Sequence, residues 1–206
     1  MRIAQGVAEV RAGATLLIDS DPEDEEAETR LKASALIDAI RGGAGQKKGD
    51  ASVYRSEVGA GLRGVMVDHQ DSFVHNLAAY FRQCAVQLIT LRPDAAREYL
   101  KINEVDFVVL SPGPFKPSHF DMAATIELLV EKKLPVFGVC LGLQGIVEYF
   151  GGSLEALDYP MHGKPSSVNH SHSSLFKGLE SPFTAGRYHS LVAASMPDCL
   201  QVTAQT

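Results

Sequence analysis

The segment Gly138-Val139-Cys140-Leu141-Gly142 places a thiol between two glycines. Ahead of it, Leu134-Pro135-Val136-Phe137 reads as a short buried strand. Behind it, Leu143, Ile146, Val147 and Phe150 fall at i, i+3, i+4 and i+7, the spacing of one helix face. A nucleophile at a strand-to-helix turn is the nucleophile-elbow arrangement, here with Cys in place of Ser. The glycines would allow the tight, strained turn. The helix N-terminus would favour the thiolate, and the Leu141 amide could point at an oxyanion. The competing reading of Cys140 is a small buried hydrophobe.

The elements that must position this thiol begin at Gly64. Val65-Met66-Val67 reads as a short strand, and Asp71 or Ser72 can cap a helix carrying Phe73, Leu77, Tyr80 and Phe81. Val86 to Thr90 is strand-like, and Val105 to Leu110 is an apolar run interrupted only by Asp106, as expected of a strand buried on both faces. Met122 to Val130 is helical, followed by the strand leading to Cys140. The order strand, helix, strand, strand, helix, strand, helix predicts an α/β fold with an open, mostly parallel sheet and flanking helices. Ligands of such sheets sit beyond the carboxyl ends of the strands. Asp68 to Ser72, Ser111 to Pro117 and Cys140 all lie at such ends.

Residues 1–41 read as strand (Val7 to Val10), glycine turn (Gly13), strand (Leu16 to Ile18) and helix, and are too short for an independent domain. Asp19, Ser20 and Asp21 supply the helix start, Pro22 lies near its first turn, and Glu23 to Glu26 complement its dipole. Residues 42–63 form a linker, glycine- and lysine-rich at 42–49. With 45% hydrophobic and 21% charged residues, the 206-residue chain has the composition of a packed globular protein. No apolar run approaches the roughly 20 residues needed to span a bilayer. The net charge of -6, without a Lys/Arg stripe, argues against nucleic acid as a partner. Cys84, Cys140 and Cys199 are too widely spaced for a disulfide framework or zinc site, which fits a reducing cytoplasm.

From Gly64 to Thr206 the motifs together resemble the glutaminase domain of the anthranilate synthase family, a branch of the class I (triad-type) glutamine amidotransferases. Asp68-His69-Gln70-Asp71-Ser72-Phe73, Ser111-Pro112-Gly113-Pro114, Gly138 to Gln144, Met161-His162-Gly163-Lys164 and Arg187-Tyr188-His189-Ser190-Leu191 carry the likeness, in that order. The resemblance implies that Cys140 attacks the glutamine side-chain carbonyl, releasing ammonia and leaving a thioester for water. It also implies oxyanion donors at the backbone of Gly113 and Leu141, and glutamine contacts from Gly113, Pro114, Phe115, Gln144, Ser190 and Leu191. No cofactor is implied for this step. Relatives usually carry Gly where this chain has Phe115. If the backbone there needs positive φ, Phe costs on the order of 1 kcal/mol and distorts the loop. The family's general base and its carboxylate partner sit in a His-Pro-Glu motif outside these 206 residues. His189 matches the glutamine-site segment instead, so the chain by itself is expected to lack useful glutaminase activity. His162 is expected in a loop or at an interface, and His69, His75, His119, His170 and His172 in surface or capping roles.

The N-terminal piece resembles the end of the chorismate-converting subunit of the same family. Val10 to Thr15, Asp19 to Pro22, Glu28-Thr29 and Lys32-Ala33 fall in that order and spacing. The resemblance implies chorismate contacts at Gly13, Ala14 and Thr15 and Mg²⁺ ligation by Glu28 in the intact protein. A plain i, i+4 ion pair is the other reading of Glu28 and Lys32. The chain is thus expected to hold a remnant of the synthase domain (1–41), a linker (42–63) and an incomplete glutaminase domain (64–206). Its expected partners are glutamine and a chorismate-binding synthase domain, fused or separate. Aminodeoxychorismate synthase shares the glutaminase motifs and is the near alternative. An α/β cysteine hydrolase, or a non-catalytic fragment, are the more distant ones.

Overall fold

The computed structural model describes residues 2–4, 7–9, 22–23, 26, 29–30, 56–171 and 174–206. The chain divides into two compact units, 1–52 and 53–206. In the first, β1 (Arg2–Ala4) pairs antiparallel with β2 (Val7–Glu9), Arg2 opposite Glu9 and Ala4 opposite Val7. The sequence pattern marks the second of these strands and not the first. Pro22, Glu23, Glu26, Thr29 and Arg30 are helical, and the Arg30 guanidinium donates to Glu26 at 2.6 Å, one turn away. Gly13, Ala14, Thr15, Glu28, the expected strand at 16–18 and residues 42–55 of the linker lie outside the described residues.

The second unit opens with the α/β pattern: β3 (Arg63–Val67), α1 (Val74–Gln83), β4 (Gln87–Leu91), α2 (Pro93–Ile102), β5 (Phe107–Leu110), a 3-10 turn (Pro117–Phe120), α3 (Met122–Glu131), β6 (Val136–Gly138) and α4 (Leu141–Tyr149). The strands lie in the order β4-β3-β5-β6, all parallel. Successive residues of the central strands feed opposite faces, as the pleat demands. Val65, Val67, Val108 and Leu110 pack with Ala96, Leu100, Met122, Ile126, Leu129 and Leu141. Met66, Leu88 and Val109 pack with Val74 and Ala78. Thus α1 covers one face and α2, α3 and α4 the other, which is why 65–67 and 107–110 are unbroken apolar runs.

Several expectations need correcting. Helix α2 is absent from the expected element order, although Pro93 at its first turn, Asp94, and Ala96 and Leu100 one turn apart all mark it. The strand ahead of Cys140 is not buried: Val136 and Phe137 are 36% and 43% exposed, because β6 ends the sheet among the described residues. The buried side of α4 is Leu141, Gln144 and Val147 rather than Leu143, which is 53% exposed, or Phe150. The helix begins at Leu141, so its core-facing row is set from that residue. Phe73 and Tyr80 are likewise exposed, and Val74 and Ala78 bury α1. Asp71 does help start α1, accepting the Phe73 amide at 2.7 Å.

Beyond α4 the chain forms a separate antiparallel sheet. β7 (Ser153–His170) lies between β8 (Phe183–Ser195) and β9 (Ala204–Gln205). The two late motifs are ladder neighbours there: Met161 opposite His189, His162 opposite Tyr188, Lys164 opposite Arg187. His162 is therefore on a strand, not in a loop.

Candidate active site

Parallel pairing brings three loops to one level. Val67, Leu110 and Gly138 are ladder partners in turn, so each chain segment leaves the sheet at the same height. Ladder bonds continue past the strand ends: Ser111 N–H donates to Val67 O at 3.2 Å and Val139 N–H to Leu110 O at 3.0 Å.

Cys140 sits between β6 and α4 with φ 50° and ψ -102°, a conformation that L-residues rarely adopt. The strain of the turn is thus in Cys140 itself, since neither Gly138 nor Gly142 has positive φ. The glycines serve close packing. A Cβ on Gly142 would overlap the Leu110 backbone, lying 2.6 Å from Leu110 Cβ, and one on Gly138 would lie 2.7 Å from Gly142 C. Only hydrogen at both positions lets α4 rest against β5 and its own strand. Leu141 N–H donates to the Cys140 sulfur, drawing its pKa down. Burial acts more strongly in the other direction and the Asp71 carboxylate adds to it, so the Cys140 thiol is pushed up overall. The expected preference for thiolate is reversed: one amide at a helix start does not outweigh desolvation plus a neighbouring carboxylate.

Gly113 lies against Leu141, the residue that follows Cys140. A Cβ there would come within 2.5 Å of Leu141 Cδ2 and 2.7 Å of both His69 Cβ and His69 O. The backbone amides of Gly113 and Leu141, the two expected oxyanion donors, are thereby carried on segments in direct contact. Pro114 and Phe115 are exposed in the same loop. Phe115 has φ 68°, so the residue that replaces the usual Gly does occupy the left-handed region. Its ring lies on His119, with centroids 4.5 Å apart.

On the other side of α4, Gln144 is buried and its Nε2 donates to Leu191 O at 3.5 Å. The structure therefore brings Gln144 and the 190–191 backbone together, with Ser190 and Leu191 on β8. His189 is tied within the same strand. Arg187 Nε–H donates to His189 Nε2 at 3.0 Å, which leaves the proton on Nδ1, 3.1 Å from Leu191 O. Both ring nitrogens are engaged.

The residue that sequence reasoning misses is His69. A surface or capping role is expected for it, but it is fully buried. Its amide donates to Ser111 Oγ at 2.9 Å, and its Nδ1 lies 3.2 Å from both Ser111 O and Ser111 Oγ. Burial pushes its pKa down to about 4, against smaller opposing effects from Ser111 and Asp68. The available signal is its place in a loop at a strand end; its burial is a property of the packed molecule. Among the described residues, no group of three or more His, Cys, Asp or Glu side chains could hold a metal ion. No described helix is long and apolar enough to cross a membrane.

Comparison with known proteins agrees with this geometry. The family model for class-I glutamine amidotransferases matches residues 65–206. Over 209 aligned positions the chain is 54% identical to an anthranilate synthase of Azospirillum brasilense, covering 100% of this chain and 28% of that one. It is 40% identical to an anthranilate synthase component 2 of Haloferax volcanii, covering 70% of this chain and 75% of that one. An aminodeoxychorismate/anthranilate synthase component 2 of Bacillus subtilis is 38% identical, with coverage of 69% and 75%. Among solved structures, a glutamine amidotransferase of Thermotoga maritima superposes with a TM-score of 0.53 at 16% identity, covering 69% of this chain and 66% of that one. A GMP synthase-type protein of Thermoplasma acidophilum does so with a TM-score of 0.61 at 24% identity, covering 69% and 72%. These structural likenesses speak for the fold, and the family match for the lineage: the chain belongs to the class-I glutamine amidotransferases.

Proposed function

We propose that this chain is the glutamine-hydrolysing part of an anthranilate synthase, joined to the end of its chorismate-converting domain. The observation that carries the reading is the Azospirillum likeness, which runs through residues 1–52 as well as the amidotransferase unit. Cys140, as thiolate, forms a C–S bond to the glutamine side-chain carbonyl while the π pair moves to oxygen. The amides of Gly113 and Leu141 receive that charge. Collapse of the adduct breaks the C–N bond, the nitrogen takes a proton and leaves as ammonia, and water cleaves the thioester to glutamate. Gln144 with the Ser190-Leu191 backbone, and the Gly113-Pro114-Phe115 loop, hold the amino acid. The ammonia serves a synthase site where chorismate becomes anthranilate and pyruvate, for tryptophan synthesis. There Gly13, Ala14 and Thr15 would contact chorismate and Glu28 would ligate Mg²⁺ in the intact protein.

A raised thiol pKa makes a general base necessary, and His189, with both nitrogens engaged, is not suited to the task. Residues 1–206 alone are therefore expected to turn glutamine over poorly, since loss of such a base costs about 10²–10⁴-fold. The Bacillus relative, described for both products, favours aminodeoxychorismate synthesis as the second reading. The full-length protein given chorismate, Mg²⁺ and either glutamine or ammonium salt distinguishes these. We expect anthranilate from both nitrogen sources, and loss of only the glutamine-dependent product in Cys140→Ser. Production of 4-amino-4-deoxychorismate would establish the second reading. Glutamine use undiminished in Cys140→Ser would overturn the nucleophile assignment.

A further inference from the structure

Ser111 fixes the state of the buried His69 ring. The Ser111 hydroxyl lies 2.7 Å from Pro112 O and donates to it. Ser111 O can only accept, so the ring nitrogen facing it, Nδ1, must carry the proton. Nε2 is then a bare lone pair, and it is buried with no hydrogen-bond partner among the described residues. The ring stands edge-on to Phe120, centroids 5.2 Å apart, where the 3-10 turn after the oxyanion loop closes over it. His69 thus holds both ends of that loop: Ser111 through hydrogen bonds, and Phe120 through ring contact. Between them Gly113 is seated on His69 Cβ and O on one side and on the Leu141 side chain on the other.

We propose that His69 is a positioning residue of the oxyanion hole, setting the Gly113 amide against that of Leu141 by docking the Ser111–Phe120 segment on the end of β3. The inference rests on the glutaminase reading for its catalytic consequence, but the docking itself can be read without any reaction. A fully hydrophobic side chain could fill the space; only a donor at the Nδ1 position can hold the Ser111 carbonyl. An Asn amide can place an N–H near that point, whereas Ala or Phe cannot.

The test compares wild type with His69→Ala, His69→Phe and His69→Asn in two measurements. In hydrogen exchange of the full chain, peptides covering 111–116 should exchange about tenfold faster in His69→Phe and His69→Ala, with β3 and β5 unchanged, and recover in His69→Asn. In labelling by a chloroketone analogue of glutamine, whose carbonyl must enter the hole, Cys140 should react about 10–100-fold more slowly in His69→Phe. Its reaction with iodoacetamide, which develops no oxyanion, should stay within about twofold. Unchanged exchange at 111–116 in His69→Phe, or equal loosening of the whole sheet, would overturn the proposal. So would His69→Asn behaving like His69→Phe. Failure of the wild-type full-length protein to take the glutamine analogue at Cys140 would count against the glutaminase reading instead, and the exchange measurement would still decide the role of His69.

Discussion

At the scale of residues, the site is built from strained and buried groups. Phe115 at φ 68° carries a steric penalty of about 1–2 kcal/mol that glycine avoids. Its ring is largely exposed, so little burial would be lost on removing it. Glycine would also loosen the unfolded chain by about 0.4–1 kcal/mol. Phe115→Gly in the full-length enzyme is therefore expected to raise glutaminase kcat while shifting the urea midpoint little; an unchanged or lower kcat would show that the loop is already well formed. His69 gives a pH dependence. Its folded pKa of about 4 lies below the ordinary value of 6.5, so between these values the unfolded chain binds more protons. Its contribution is present above pH 6.5 and is lost as pH falls toward 4, by about 3 kcal/mol in all. Urea unfolding at several pH values should show a steeper fall for wild type than for His69→Asn across that window. Equal slopes would mean that the ring takes up its proton in the folded state without difficulty. The Cys140 elbow was readable because Gly-x-Cys-x-Gly is local. The place of the strain was not: φ 50° at Cys140 follows from how α4 lies on β5.

At the scale of elements, the contact of α4 with β5 sets where the thiol stands. Gly142→Ala would drive a methyl into the Leu110 backbone, forcing the helix away. Overpacking of this kind costs typically 1–3 kcal/mol, and the helix start would move with it. The expected outcome is a lower urea midpoint together with slowed chloroketone labelling of Cys140. A fully stable, normally reactive variant would show that the helix can shift without cost to the site. Apolar runs and periodicity sufficed to mark β3, β4, β5, α1 and α3 as elements, though in α1 the expected row included Phe73 and Tyr80, which are exposed, and omitted the buried Val74 and Ala78. Helix α2 escaped since its buried row is short, Ala96 and Leu100, within a polar sequence. The register of α4 escaped because its buried face includes Gln144 and Gly145, which apolar periodicity does not count.

At the scale of the whole molecule, the two units predict a cleavage experiment. The glycine- and lysine-rich composition of 42–49 makes it the expected site of limited trypsin digestion. The 53–206 unit, with its own two core clusters, should survive as a cooperatively unfolding species. Cutting within β3, β5 or α3 as readily as within 42–49 would count against that independence. The sequence by itself determined the class of fold, the strand-to-helix turn at Cys140 and the family, because each depends on residue types at fixed local spacing. Tertiary structure alone decided which groups meet. Parallel register carried Gly113, Leu141 and His69 together from distant segments. Ladder pairing of β7 with β8 set Met161 against His189, and packing of α4 joined Gln144 to Leu191. Burial of His69 and the raised pKa of Cys140 belong to the same level, since desolvation exists only once the surrounding chain has closed.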